Sequence, residues 1–125
     1  MDAETWTIEA HLSGKPDEVV VLYRRFIALA ETCGPFSYRV TKTAIALKGV
    51  RRGFAGLKPT MRSLDGFLDL RRELRDPRIL RASPYTKRLF VHQFRVTSPD
   101  QIDNEFAGWI HEAYDVGAGA HMQGR

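Results

Sequence analysis

The sequence predicts an α+β fold, in which a five- or six-stranded, mainly antiparallel sheet has two helices packed on one face. Three observations lead to this prediction. Amphipathic segments with helix-start signals lie near both ends of the chain, short alternating segments lie between them, and the links between those segments are too short for crossover helices. The 125 residues suit a single α+β domain over residues 1–117, followed by a Gly/Ala-rich tail over residues 118–125 that we expect to be disordered.

The N-terminal part contains an alternating segment and then a helix. Apolar and polar residues alternate from Trp6 to Leu12, which predicts a short strand, an extended arm on the core, or a loosely packed segment anchored by Trp6. Pro16 suits the first turn of a helix, and the apolar residues up to Cys33 recur at helical spacing. Gly34 then ends this helix, because glycine readily adopts the conformation that terminates one.

The middle of the chain is predicted to form the sheet. Residues of alternating polarity, bounded by Gly and Pro, predict strands around Phe36–Val40, Ile45–Leu47, Phe54–Leu57, Met61–Leu70 and Leu89–Val96. Residues 71–88 combine seven basic residues with two prolines. They predict an irregular connection with one short strand at Ile79–Ala82.

The last helix has a strong start signal. Ser98 is a predicted N-cap, Pro99 a first-position proline and Gln101 a capping-box residue, so we expect a helix over Pro99–Gly117. The two helices and the strands then supply a common core, predicted to comprise Trp6, Leu22, Phe26, Ile45, Leu47, Leu68, Phe94, Phe106 and Ile110.

Charge is unevenly distributed along the chain. Between Arg39 and Arg95 there are 15 Lys and Arg residues but only four acids, whereas acids outnumber bases before and after this stretch. This pattern predicts a basic sheet flanked by acidic helices. A pI near 9.5 favours anionic partners.

The sequence also bears on the compartment. Cys33 is the sole cysteine, so no disulfide can form within one chain, which fits a reducing compartment. No apolar run approaches the ~20 residues that span a bilayer, and the acidic N-terminus does not resemble a signal peptide. We therefore expect a cytoplasmic protein with no membrane partner.

The segment Thr41–Pro59, TKTAIALKGVRRGFAGLKP, carries a resemblance to a known family. With the leader HLSGKPDEVVVLY and the later LFVHQFRVTSPDQID, it is similar to a small bacterial domain of unknown function. That domain is also found at the C-terminus of so-called predicted transport proteins. The resemblance covers roughly residues 5–117 and implies the single-domain fold, but it implies no activity.

Basic residues on the predicted strands and turns are the first candidate site. Such clusters bind phosphate backbones through charge-assisted hydrogen bonds and counterion release. The candidate polyanion-binding residues are Arg39, Lys42, Lys48, Arg51, Arg52, Lys58 and Arg62. Nucleic acid is the leading partner. Alternatively, these basic side chains pair with the acidic surface of the helices. If those helices belong to a second copy of the chain, a weak homodimer is expected.

Two other functions remain open at this stage: a small enzyme or ligand-binding domain with a pocket near Lys42, Arg52 and His92, or a protein–protein adaptor. His92 shares a strand face with apolar residues, which more often indicates a buried, hydrogen-bonded histidine than a catalytic one. The sequence has no glycine-rich phosphate loop, metal motif or nucleophile elbow. We therefore expect no catalytic residue, cofactor or metal, and favour a binding module.

Overall fold

Six β-strands form one sheet in the computed structural model, which describes residues 6–120. Their bounds are β1 (Ser37–Val40), β2 (Ile45–Lys48), β3 (Gly53–Pro59), β4 (Leu64–Leu70), β5 (Ile79–Thr86) and β6 (Leu89–Val96). The spatial order is β1-β2-β3-β4-β6-β5, and each neighbouring pair is antiparallel. Because β6 inserts beside β4, the β5–β6 hairpin folds back and leaves β5 at the edge.

The helices are α1 (Ile8–Leu12), α2 (Asp17–Cys33) and α3 (Asn104–Gly117), with a 3-10 turn at Pro99–Gln101. Helices α2 and α3 contact each other and lie against strands β3 and β4. The predicted α+β architecture, with two long helices against an antiparallel sheet, is confirmed.

The core lies between the sheet and these helices. Strand residues paired across the sheet share a face, so the fully buried Leu47, Ala55 and Leu68 form one continuous apolar row. Eight of the nine predicted core residues are buried in this core: Leu22, Phe26, Ile45, Leu47, Leu68, Phe94, Phe106 and Ile110. The ninth, Trp6, is half-buried and packs against His11, with ring centroids 5.2 Å apart.

The strand or extended arm predicted over Trp6–Leu12 is wrong, because Ile8–Leu12 form the helix α1. The Thr7 side chain caps the helix by accepting a hydrogen bond from Ala10 N, at 3.0 Å. Ile8 and Leu12, four residues apart, both pack against the core. Residues four apart lie on one face of a helix and also on one face of a strand, so the apolar pattern fits both structures. His11 Nε2 lies 2.7 Å from Thr41 O and joins α1 to the β1–β2 turn.

The segment over residues 71–88 is more regular than predicted. Its short strand extends over Ile79–Thr86, and bulges at Leu80 and Tyr85 interrupt its pairing with β6. Pro84 is accommodated because β5 is an edge strand, where a missing N–H costs no ladder hydrogen bond.

Helix α3 begins later than predicted. The capping box at Ser98 is present, but it closes the 3-10 turn at Pro99–Gln101. The backbone then leaves the helical region at Ile102, which is fully buried. Asp103 caps α3 by accepting a hydrogen bond from Phe106 N, at 2.9 Å.

The predicted disordered tail falls mostly outside the described residues. Ala118 and Gly119 continue from α3 in a tight turn, with Gly119 N donating to Val116 O. Residues 121–125 lie outside the described part of the chain.

Candidate functional site

The face of the sheet opposite the helices, here called the open face, carries the more polar half of the strand alternation. On β6, Val91, Gln93 and Arg95 are half-buried or exposed, whereas the intervening His92 and Phe94 are fully buried. By register the open face includes Arg39, Ala46, Lys48, Lys58, Asp65, Phe67, Asp69, Arg81, Val91, Gln93 and Arg95. This is the side of the sheet on which an extended partner has access to several strands at once.

A charged row crosses three strands of the open face. Lys58 on β3 pairs in register with Asp65 on β4, which pairs with Arg95 on β6. Both Asp65 oxygens accept hydrogen bonds from the Arg95 guanidinium at 2.9 Å, and Ser63 Oγ donates to Asp65 Oδ1 at 2.6 Å. Burial alone would raise the pKa of Asp65, but these hydrogen bonds lower it. Arg95 is therefore held in one orientation beside Lys58, which forms no ion pair with any carboxylate of residues 6–120.

Two cavities adjoin this row and share the Asp65–Arg95 pair. The larger, about 550 Å³, lies at the β3–β4 turn and is lined additionally by Thr60, Met61, Arg62, Ser63 and Thr97. The smaller, about 190 Å³, lies on the open face and is lined additionally by Lys58, Gly66, Phe67, Leu80, Val91, Gln93 and Phe94. Both cavities thus have cations in their walls, and only the smaller one adds aromatic rings and several aliphatic side chains.

Phe67 forms the aromatic wall of the smaller cavity. It pairs in register with Gly56, and a Cβ added at Gly56 would overlap the Phe67 ring. The ring therefore lies directly over the backbone of β3, in space that only a glycine leaves free. In the same region the bulge of β5 places the exposed Leu80 in the cavity wall.

The β2–β3 turn carries a second basic cluster at the opposite end of the sheet. The backbone N–H groups of Arg51 and Arg52 both donate to Gly117 O, at 2.8 and 3.2 Å, so the C-terminus of α3 anchors the turn. The Arg52 side chain donates to Asp69 Oδ2 at 2.5 Å and lies over the Tyr85 ring. This guanidinium is already engaged within the fold.

Asp69 is the most deeply buried acid of the open face, with 6% of its side chain exposed. Burial raises the pKa of its carboxyl, although the charge and hydrogen bond of Arg52 act in the opposite direction. Its Oδ1 has no hydrogen-bond partner among the described residues. Arg52 is thus the counter-ion on which a buried carboxylate depends.

Six of the seven candidate polyanion-binding residues are exposed, and none of the six forms an ion pair with a carboxylate of residues 6–120: Arg39, Lys42, Lys48, Arg51, Lys58 and Arg62. By register, Lys42, Lys58 and Arg62 lie towards the end of the sheet near Pro59, and Lys48 and Arg51 lie at the other end. Arg39 lies between them on the edge strand β1. The seventh residue, Arg52, pairs with Asp69.

The alternative pocket residues do not lie together. Lys42 is in the β1–β2 turn and Arg52 is in the β2–β3 turn, so they occupy opposite ends of the sheet. His92 lies on the helix-covered face and is fully buried. The two cavities of the open face are lined by none of these three residues.

Both ring nitrogens of His92 are bound to backbone groups. Nε2 accepts from Leu74 N at 2.9 Å, so the ring proton lies on Nδ1, which donates to Phe90 O at 3.1 Å. Burial lowers the pKa of His92. The expectation of a buried, backbone-bonded histidine is therefore confirmed, and the ring has a clear structural role in fastening the β4–β5 connection.

We expect His92 to make the domain less stable in mild acid. Its folded pKa is lower than the ~6.5 of an unfolded chain, so the unfolded state binds more protons below that pH. The free energy of unfolding should fall as the pH is lowered from about 6.5, and His92→Gln should remove most of that dependence. Urea denaturation at a series of pH values tests this.

His111 provides the matched control for this prediction, because it is exposed on α3. His111→Gln should leave the pH dependence close to that of the wild type. A wild-type slope in His92→Gln would show that another group causes the acid sensitivity.

Sequence reasoning assigned no site role to Leu80, Gln93 or Arg95, and it considered Phe67 only as one of three aromatic residues, with Tyr38 and Phe54, that could stack on bases if exposed. The alternation of β4 and β6 does place Phe67, Gln93 and Arg95 on the polar side of their strands. What it does not show is that β4 pairs with β6, which is what brings these side chains to one cavity.

The fold and this surface define a small α+β domain with an uncovered, cation-bearing sheet face. Residues 8–117 match the family described as a domain of unknown function, DUF5655, and the chain belongs to that family. The resemblance seen in the sequence to a domain of unknown function is thereby confirmed. No curated protein and no solved structure matches this chain.

Two further properties concern the described residues as a whole. Within residues 6–120, no three His, Cys, Asp or Glu side chains are grouped closely enough to hold a metal ion. No helix in the same range has the length and apolar character needed to cross a bilayer.

Proposed function

We propose that this domain is a non-enzymatic binding module whose open face and adjoining turns engage a polyanion, with nucleic acid as the leading partner. The observation that carries the proposal is the set of six exposed cations on and around the sheet face opposite the helices, none of which forms an ion pair within residues 6–120. Such cations bind phosphates by charge-assisted hydrogen bonds and release condensed counterions. We place this activity in the cytoplasm, where the free thiol of Cys33 would stay reduced.

The distribution of ion pairs supports this proposal. Two basic side chains that contact α3 are neutralised within the fold: Arg72 pairs with Glu112, and Arg78 with Asp103 and Glu105. Cations such as Lys58 and Arg62 lie on the other side or at the end of the sheet and have no such partner in the described part of the chain. A polyanion would supply the negative charge that the fold itself does not bring to them.

The proposal can be tested with a variant that removes two free cations. Lys58→Gln combined with Arg62→Gln should weaken binding of a single-stranded oligonucleotide and make the dependence of affinity on salt less steep. The slope of log K against log salt should shrink by about 1.4 for two lost phosphate contacts, since each contributes about 0.7 for a single strand. Fluorescence anisotropy at several salt concentrations measures both quantities.

The matched control removes the same charge from the helix side of the domain. Lys15→Gln with Arg24→Gln changes the net charge equally, and neither side chain forms an ion pair within residues 6–120. This control should keep the wild-type slope. Absence of binding at low salt, or equal slopes for both double variants, would overturn the proposal.

Self-association is the competing use of the same surface. The acidic side chains on α3 of one copy would then meet the free cations of another, forming the weak homodimer expected from the segregated charge. Sedimentation velocity of the protein alone at low salt reveals such a dimer. If adding an oligonucleotide dissociates the dimer, the oligonucleotide and the second copy of the chain compete for the same surface.

A further inference from the structure

We infer that the smaller cavity of the open face receives one unpaired nucleobase against Phe67, which makes single-stranded nucleic acid the preferred polyanion. This inference rests on the proposed function and adds the chemical class of its ligand. Free cations alone would bind any polyanion, including duplex DNA and polyphosphate. The cavity adds a contact that only an accessible base can make.

The size and walls of the cavity suit a flat ring. Its volume of about 190 Å³ is below the roughly 300–1,000 Å³ typical of pockets that enclose whole drug-sized ligands. Phe67 provides an aromatic wall, and the aliphatic Leu80 and Val91 provide further apolar surface. Stacking of a base on an aromatic side chain tolerates every base, because each has a π-face.

Polar groups are placed around the same cavity. The Gln93 side chain is exposed and forms no hydrogen bond with any residue from 6 to 120, so both its amide donors and its carbonyl remain available to a base edge. Lys58 and Arg95 border the cavity from opposite sides of Asp65. A base seated here would thus have its flanking phosphates within reach of cations.

The larger cavity continues this site. It shares Asp65 and Arg95 with the smaller one and adds Arg62, whose side chain forms no ion pair within residues 6–120, whereas the hydroxyl groups of Thr60 and Thr97 are hydrogen-bonded to Ser63 and Gln101. A guanidinium group such as that of Arg62 binds phosphate oxygens. A strand that seats a base at Phe67 can therefore lay its adjoining sugar and phosphate in the larger cavity.

A paired base cannot use this site. In a duplex each base is stacked on its neighbours, so its face is not available to a protein ring without extrusion of the nucleotide. The strand that fits both cavities is consequently single-stranded, and its stacking contact with Phe67 tolerates any base.

Substitution at Phe67 tests the inference directly. Phe67→Leu should weaken binding of a ten-nucleotide oligo-dT roughly 5- to 150-fold, the range for loss of one stacked base, while Phe67→Tyr should bind like the wild type. An abasic oligonucleotide of equal length should bind the wild type and Phe67→Leu with equal affinity. Tyr38→Leu is the aromatic control, because Tyr38 pairs with Leu47 and lies on the helix-covered side of the sheet.

A second pair of variants avoids any change to the Phe67 ring. Leu80 and Val21 are 52% and 48% exposed, so Leu80→Glu and Val21→Glu add the same charge at equally accessible positions. Leu80→Glu should weaken oligo-dT binding, since it places a carboxylate in the cavity wall. Val21→Glu on α2 should change it far less.

The outcomes separate the two proposals. Equal oligo-dT affinity for wild type and folded Phe67→Leu, equal effects of Leu80→Glu and Val21→Glu, or tighter binding of the matching duplex would each overturn the base site. Polyphosphate binding that persists with its salt dependence would then still support polyanion binding. Failure of oligo-dT and polyphosphate alike to bind at low salt would overturn both.

Discussion

Truncation of Phe106 to alanine should lower the free energy of unfolding by about 3–5 kcal/mol, the usual range for a buried aromatic. Phe106 is fully buried at the centre of an aromatic cluster, with ring centroids 6.1 Å from Phe26 and 5.3 Å from both Phe94 and Trp109. Alanine would leave a cavity between α2, α3 and the sheet that close-packed neighbours fill only in part. Urea denaturation monitored by circular dichroism measures the loss.

Phe26→Ala should have an effect of similar size, because Phe26, on α2, is fully buried and its ring stacks on that of Phe94, on β6. Phe90, half-buried on β6, is the control aromatic. Phe90→Ala should cost clearly less than either. Wild-type unfolding midpoints for Phe26→Ala and Phe106→Ala would contradict the assignment of these residues to the core.

Arg78→Ala should be the most disruptive substitution of a charged residue considered for this domain. The Arg78 side chain is 10% exposed and binds Asp76 through two nitrogens, at 2.8 and 3.0 Å. It also donates to Asp103 and Glu105, and its guanidinium lies 4.5 Å from the centroid of the Trp109 ring. One side chain thereby joins the β4–β5 connection to the start of α3.

We expect Arg78→Ala to cost about 2–4 kcal/mol, somewhat less than the ~3–5 kcal/mol for a fully buried pair, because Asp103 and Glu105 keep access to water. Arg78→Lys should recover only part of this loss, since lysine lacks the planar fork that holds Asp76. Urea denaturation of both variants, compared with the wild type, measures these losses.

Arg75 gives the matched control three residues away. Its side chain is 88% exposed and forms one ion pair with Glu73 at 3.4 Å, so Arg75→Ala should leave stability almost unchanged. Equal effects of Arg75→Ala and Arg78→Ala would show that the Arg78 cluster does not hold these elements together.

Local signals were sufficient for much of the fold. The helix predicted over Pro16–Cys33 appears as α2, and the strand predicted at Leu89–Val96 appears as β6 with the same bounds. Both have a repeated pattern over many residues, and Pro16 and Gly34 mark the ends of α2. Such signals act within a few residues along the chain and need no knowledge of what lies across the core.

Short or interrupted segments were decided by packing instead. Seven residues of alternation near Trp6 could not distinguish a strand from α1. The contact between His11 and Thr41 that holds α1 in place joins positions 30 residues apart, so it leaves no signal in the local sequence. The strong cap at Ser98 likewise closed only a 3-10 turn, since burial of Ile102 bends the chain before α3. In both places a long-range contact outweighed the local pattern.

The sequence by itself determined the excess of basic residues between Arg39 and Arg95 and the polar alternation that puts Phe67 and Arg95 on one side of their strands. Only the tertiary structure decided which charges are paired: Arg52 and Arg78 form internal ion pairs, whereas Lys58 forms none within residues 6–120. The pairing of β4 with β6 likewise formed the cavity at Phe67. Charge and alternation are properties of positions along the chain, but ion pairs and cavities depend on distances between residues that the fold alone brings together.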